Sequence, residues 1–162
     1  MAPTRAVVVA ILAAASFGGW WLGQHAPGAS SEPAVVIKVD DGDTIVVRIG
    51  SRTDTVRLLG IDTPETHHPT KPVGCYGPEA SDYTTARLTG KTVRLEDDVE
   101  PRDIYDRRLA YVYLDGRRFN DELLQKGYAR LLVIPPNGAH ARTMLAEELA
   151  AKRAGVGLWG AC

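Results

Sequence analysis

Residues 34–61 consist of three short runs rich in β-branched residues, "VVIKV", "TIVVRI" and "TVRLLGI". Asp-Gly and Gly-Ser signals separate them, so the stretch reads as consecutive strands joined by turns. Asp41-Gly42 suits a tight bend, and "RIGSRTD" around Gly50 suits a hairpin. The next regular element is a helix in "PEASDYTTARLTG", with Pro78 at a first helical position and Gly90 past the end. "KTVRLE" and "RLAYVYL" read as further strands, with Asp115-Gly116 turning into "RRF". "NDELLQKG" reads as a short helix capped by Asn120 and stopped at Gly127, and "YARLLVI" as another strand, halted by Pro135-Pro136. "AHARTMLAEELAAKRAG" is the clearest helix, with Met144, Leu145 and Leu149 at helical spacing. This order predicts a mainly β chain with helices, of the α+β class. A five-stranded Greek-key barrel of the OB type with about three helices fits it, and the open face of such barrels commonly binds oligonucleotides.

The barrel domain is expected over residues 34–162. Residues 1–33 have another character: Arg5 precedes an apolar run from Ala6 to Leu22, and no charge follows until Glu32. This is the pattern of an export signal. The run is short for a spanning helix, which needs about 20 residues. Ala13 and Ala15 offer a cleavage site, whereas Gly-Gly-Trp-Trp-Leu suits a helix end at a membrane interface. A cleaved signal, an uncleaved anchor associating with a membrane through residues 6–22, and a buried N-terminal helix all remain open. Residues 23–33, rich in Gly, Pro, Ser and Ala, read as a linker. The expected location is outside the cytoplasm, secreted or membrane-anchored.

Of 162 residues, 44% are hydrophobic and 24% charged, which suits a globular domain and excludes a disordered one. A formal net charge of −1 gives no support for a strongly basic nucleic-acid binder, though an arginine cluster can sit among compensating acids. Arginine outnumbers lysine, which suits bidentate phosphate contacts but also follows from codon usage. The two cysteines are Cys75 and Cys162. In an oxidising compartment the pair favours a disulfide over two free thiols, and no Cys/His spacing suggests zinc. Nothing in the sequence requires an obligate protein partner.

Three clusters carry candidate chemistry: "DDGDT", with Asp40, Asp41, Asp43 and Thr44; "RLLGIDTPE", with Arg57, Asp62, Thr63 and Glu65; and "YDRRLAYVY", with Tyr105, Arg107 and Arg108. Taken singly, Asp-Gly-Asp is a turn, Asp-Thr-Pro-Glu a capped turn or helix start, and Arg107-Arg108 solvated edge charge. "DDGD" also lacks the spacing of an EF-hand loop. Charge at the end of an apolar run is costly to bury unless it is paired or binds a metal.

Together, and in this order, these segments resemble the signature segments of the staphylococcal nuclease (thermonuclease) family. "YGPEAS" and "GLWG" match as well, so the resemblance spans about residues 35–160. It implies a phosphodiesterase acting on DNA and RNA, dependent on calcium and leaving 3′-phosphate ends. It assigns Asp43, Asp62 and the Thr63 carbonyl to the metal. Glu65 is assigned as general base or water-orienting group, and Arg57 and Arg107 to the phosphate oxygens. Tyr105 and Lys71 are placed as substrate contacts. The alternative is a non-catalytic OB-fold module that binds nucleic acid. This chain departs from the family in three places: "RLLVIPP" carries no stacking aromatic, Ile104 replaces a basic residue, and Asp106 and Arg108 replace glycines. His67, His68 and His140 have no place in the implied mechanism.

Overall fold

The computed structural model describes residues 33–66 and 72–162. The apolar run at 6–22, His67, His68 and Lys71 lie outside the described residues. Among the described residues eight strands and four helices follow in the order β1 (Ala34–Asp41), β2 (Thr44–Ile49), β3 (Arg52–Leu58), β4 (Ile61–Asp62), α1 (Gly77–Leu88), β5 (Thr92–Arg102), β6 (Arg108–Leu114), β7 (Arg117–Arg118), α2 (Phe119–Gln125), β8 (Arg130–Leu131), α3 (Ala141–Ala154) and α4 (Leu158–Ala161).

Strands β3, β2, β1, β5 and β6 are antiparallel neighbours in that order. A parallel pairing of β3 with β6, with Arg57 opposite Leu109, closes them into a five-stranded barrel. This is the OB-type connection expected from the sequence. Closure also carries the loop before β6, with Arg107, to the end of β3. Alternation points Ile45, Val47 and Ile49 of β2 inward and leaves Arg48 exposed. Val36, Val56, Leu58, Leu95 and Val112 complete the barrel core, and Leu88, Phe119, Leu123, Leu124 and Met144 seal it with helices. Each such side chain contributes about 1.5–3 kcal/mol on burial.

Several elements differ from the sequence expectation. The run "TVRLLGI" breaks at Gly60, whose φ of 75° ends β3 and opens β4. A side chain there would also collide with Met144, whose sulfur lies 2.7 Å from the position of an added Cβ. "YARLLVI" keeps only two residues as strand, because β8 pairs with the two-residue β4 alone. In α3 the buried face is Met144, Glu148 and Ala151, while Leu145 and Leu149 are 43% and 42% exposed. Helical spacing identified the helix but not its inward face.

Asn120 does not cap α2; Arg118 occupies that position. Asn120 is fully buried, where its Oδ1 accepts the Val112 N–H at 2.9 Å and its Nδ2 donates to the Leu59 carbonyl at 2.8 Å. It thereby ties α2 to β6 and to the bend after β3. The expected Cys75–Cys162 disulfide is present, with the Cα atoms 6.1 Å apart.

Asn120→Ala should leave two buried backbone groups unpaired, at about 1–3 kcal/mol each. The expected result is a fall in Tm of roughly 5–15 °C on thermal unfolding followed by circular dichroism. An unchanged Tm would remove this residue from the account of the fold.

Candidate active site

Asp43 sits in the turn between β1 and β2 and is only 6% exposed. Its Oδ2 accepts the Thr63 N–H at 2.9 Å, which fastens the segment after β4 to the β1–β2 turn. The same oxygen lies 3.1 Å from Arg57 Nη2. That nitrogen also reaches Asp62 Oδ1 at 3.0 Å. The other end of the guanidinium, Nη1, donates to the Leu58 and Ile61 carbonyls, both at 2.8 Å. Arg57 thus links two carboxylates to the two backbone carbonyls flanking the break at Gly60. Removing one partner of so buried a pair costs about 3–5 kcal/mol, because the remaining charge is left uncompensated.

A second set of contacts arranges the chain after Thr63. Asp41 Oδ1 accepts the Gly42 N–H and the Thr66 hydroxyl, at 2.8 and 2.9 Å. Glu65 is exposed, and its Oε1 accepts the Thr66 N–H at 3.1 Å. The Asp41 carboxyl is held above its ordinary pKa, first by burial and then by a hydrogen bond to Glu65 that favours the protonated form, with the Asp43 charge adding to the effect. The Gly42 N–H and Thr66 act the other way. Asp62 is also raised, by burial first. Arg57 opposes the shift, while Asp43 and Glu65 add to it. Four acids therefore crowd one corner of the barrel with Arg57 between two of them.

Arg107 arrives on the loop between β5 and β6. Asp103 anchors that loop: Oδ1 accepts the N–H groups of Tyr105 and Arg107 at 2.9 and 3.0 Å, and Oδ2 accepts Arg107 Nε at 2.7 Å. Burial pushes the Asp103 pKa up, but these bonds outweigh it and hold the carboxyl below the usual range. Asp106 adopts a left-handed φ of 63°, uncommon without glycine. Its carbonyl accepts Arg102 Nη1 at 2.6 Å, and Arg102 is itself paired with Asp54 through both nitrogens, at 3.1 and 2.8 Å. That clamp steadies a conformation that glycine would adopt without strain.

Arg57 and Arg107 face one cleft of about 410 Å³, whose apolar wall includes Ile104, Leu109, Leu132 and Ile134. Tyr105 stands at its edge, 74% exposed, with the Arg107 guanidinium 5.4 Å from its ring centre. The structure thus brings together Asp43, Arg57, Asp62 and Thr63 by direct contact, places Glu65 against Asp41, and joins Arg107 and Tyr105 to Arg57 across the cleft. Asp103 and Arg102 were not singled out from the sequence. A carboxylate four residues before Arg107 was the available signal for the first; nothing in the sequence marks the second. Asp41 belonged to a named cluster without a role. His140 is structural: its Nε2 meets Glu96 Oε1 at 2.8 Å and its ring packs edge-on to Tyr111.

Among the described residues, no group of three or more His, Cys, Asp or Glu side chains is gathered around a common metal position. Asp43 and Asp62 both meet Arg57 Nη2, and Asp43 also accepts the Thr63 N–H. The Thr63 Oγ1 is buried with no hydrogen-bond partner. A corner of crowded, hard oxygen donors suits a hydrated cation of the calcium type better than a soft transition metal.

The class is that of a small OB-type barrel in which Asp43, from the β1–β2 turn, and Asp62, at the end of β4, meet on Arg57, and Arg57 and Arg107 share one cleft. Comparison with known proteins makes this specific. The family model described as "Staphylococcal nuclease homologue" matches residues 55–161. The chain is 41% identical over 128 residues to the thermonuclease of Staphylococcus intermedius, covering 79% of this chain and 76% of that protein. It is 40% identical over 131 residues to the thermonuclease of Staphylococcus hyicus, covering 81% and 78%. Endonuclease YncB of Bacillus subtilis is 40% identical over 121 residues, which is 74% of this chain and 57% of that protein. The chain belongs to the staphylococcal nuclease family.

Asp103→Ala should release the Tyr105 and Arg107 amides together. Hydrogen exchange at both should quicken at least about tenfold while the β2 and β6 amides keep their protection. Because the Asp103 pKa is lowered, its anchoring is fully present above the ordinary carboxylate value of about 4 and is lost as pH falls through the lowered one. In the unsubstituted chain, exchange at the Tyr105 and Arg107 amides should therefore stay slow down to about pH 4 and rise only below it. Fast exchange at pH 6 would overturn the anchor.

Proposed function

We infer that the chain is a nuclease that hydrolyses phosphodiester bonds of DNA and RNA with calcium as cofactor and leaves 3′-phosphate ends. The observation that supports this best is Arg57, braced by two carbonyls, between Asp43 and Asp62 and on the same cleft as Arg107, in a barrel of this family. Asp43, Asp62 and the Thr63 carbonyl would hold the metal. When bound, calcium supplies a Lewis acid that lowers the cost of charge on the phosphate and of ionising a water.

The remaining chemistry belongs to the side chains. Arg57 Nη1 is occupied by carbonyls, which fixes the plane of the guanidinium; Nη2 is the end that meets anions. Arg107 has its Nε on Asp103, leaving its terminal nitrogens for a non-bridging phosphate oxygen. Two such cations stabilise the charge that builds on phosphorus oxygens in the transition state. Glu65 takes the proton of the attacking water or orients that water. Tyr105 contacts the terminal phosphate, and Lys71, outside the described residues, is assigned a substrate contact by the family resemblance alone. The 5′-oxygen departs, takes up a proton from solvent to become a hydroxyl, and leaves the phosphate on the 3′-side. The base meets Leu132 and Ile134 rather than aromatic rings, so stacking, worth about 1–3 kcal/mol per base on an aromatic ring, is replaced by weaker apolar contact. The domain acts outside the cytoplasm, exported by residues 1–33.

The deciding experiment is cleavage of DNA and RNA by the purified chain with calcium, with magnesium and with chelator. Activity should require calcium, magnesium should support much less, and products should carry phosphatase-sensitive 3′ ends. Glu65→Gln and Arg107→Ala should each lower kcat by about 10²–10⁴-fold in a folded protein. Near wild-type turnover in either variant would refute the assigned roles, and nucleic-acid binding without cleavage would favour a non-catalytic module.

Calcium affinity carries a further expectation. Protons compete for Asp62, whose pKa is raised by burial and by neighbouring acids. Affinity measured by calorimetry with a nucleotide present should begin to weaken, on lowering the pH, above the point at which an ordinary aspartate of pKa about 4 would protonate. Affinity that stays constant to pH 4 would count against Asp62 as a ligand.

A further inference from the structure

Residues 74–77 form a backing for Glu65. The Gly74 N–H donates to the Glu65 carbonyl at 2.8 Å, and the Gly77 N–H to the Gly74 carbonyl at 2.9 Å. Both glycines press on the chain that carries Glu65. A Cβ on Gly74 would lie 2.8 Å from Pro64 Cβ and 3.2 Å from the Glu65 nitrogen, and one on Gly77 would lie 2.8 Å from the Pro64 carbonyl oxygen. Cys75 stands between these two contacts and is bonded to Cys162.

The far end of that bond is firmly seated. The Cys162 N–H donates to the Leu158 carbonyl at 3.1 Å, and the Leu158 N–H to the Gly127 carbonyl at 2.9 Å. Leu158 is buried, and Trp159 lies between Arg130 and Lys152, each cation 4.4 Å from its ring centre. Next to Cys75, Tyr76 is held at a left-handed φ of 69°, a conformation that costs a non-glycine residue free energy and persists only where its surroundings impose it. Its ring stacks on Tyr128 with centres 5.5 Å apart. Both cysteines are exposed, hence open to thiol–disulfide exchange.

We propose that the Cys75–Cys162 disulfide is a positioning device for Glu65, so that the oxidised chain is the competent nuclease and the reduced chain is folded but slow. This rests on the role given to Glu65 above. The bond removes freedom from the segment behind Glu65, and displacement of a reacting group by about 1 Å costs on the order of a hundredfold in rate. Its formation takes two electrons and two protons from the thiols, by exchange with a disulfide-bearing oxidoreductase or oxidised glutathione, which leaves as thiols. Together with export, this keeps turnover low in a thiol-rich cytoplasm, beside the cell's own nucleic acid, and raises it outside.

The test compares the oxidised full chain, the same chain reduced with dithiothreitol, and the Cys75→Ser/Cys162→Ser double variant, all well below their melting temperatures. Reduction should lower kcat about tenfold or more and change KM less than about twofold. The double variant should match the reduced chain and ignore reductant. Independently of activity, hydrogen exchange at Gly74 and Gly77 should quicken about tenfold on reduction while Val47 and Val112 stay protected. Equal protection at Gly74 in both redox states, or equal kcat despite unequal protection, would overturn the proposal. So would loss of near-ultraviolet dichroism on reduction, which would make the bond a support of the whole fold. If the oxidised chain with calcium cleaves nothing, it is the reading of function that fails; the exchange data still decide whether the bond holds the Glu65 segment.

Discussion

The guanidinium of Arg57 is where the chain's charge and its topology meet. It lies at the end of β3, where Gly60 turns the chain, and bonds the carbonyls on either side of that turn as well as the carboxylates of Asp43 and Asp62. Burying one cation there makes two nearby anions tolerable, and one of them, Asp43, fastens the β1–β2 turn to the segment leading to Glu65. The parallel pairing of β3 with β6 then delivers Arg107 to the same cleft.

The arginine content has a different explanation from the one composition invites. Arg87 pairs with Glu122, Arg102 with Asp54, Arg108 with Asp97 and Arg118 with Asp121. These side chains hold the barrel and its loops through bidentate or near-bidentate contacts with carboxylates, which is why so arginine-rich a chain carries almost no net charge. Arg57 and Arg107, rather than a basic surface, are the cations that face the cleft. Partly exposed pairs of this kind contribute little stability each, about 0–1 kcal/mol; their effect is to fix geometry. At Arg102 that geometry is the left-handed turn at Asp106, which in turn places Arg107.

The cleft shared by Arg57 and Arg107 has an aliphatic wall. Ile104, 91% exposed at the loop tip, together with Leu132 and Ile134, presents aliphatic carbon to the cleft. Such a surface excludes water but offers no ring to stack on.

Local chemistry determined what the sequence alone made legible. β-Branched runs between turn residues yielded the strands, Pro78 and Gly90 bracketed α1, and the ordered clusters around Asp43, Asp62 and Arg107 pointed to the family, because those residue types and spacings are set by backbone geometry and phosphate chemistry. What depended on the packing of distant segments was not legible. Asn120 looked like a cap because its neighbours are helical; it is a buried crosslink because Val112 and Leu59, brought close by barrel closure, need partners. Leu145 and Leu149 looked inward by their spacing, yet Glu148 takes the buried face because the Leu131 N–H requires an acceptor there. Asp103, Arg102 and the glycine-lined contact behind Glu65 likewise arise from pairings that no local pattern encodes. A hydrogen bond between residues far apart in sequence exists only once the barrel has closed, and the tertiary structure alone decides it.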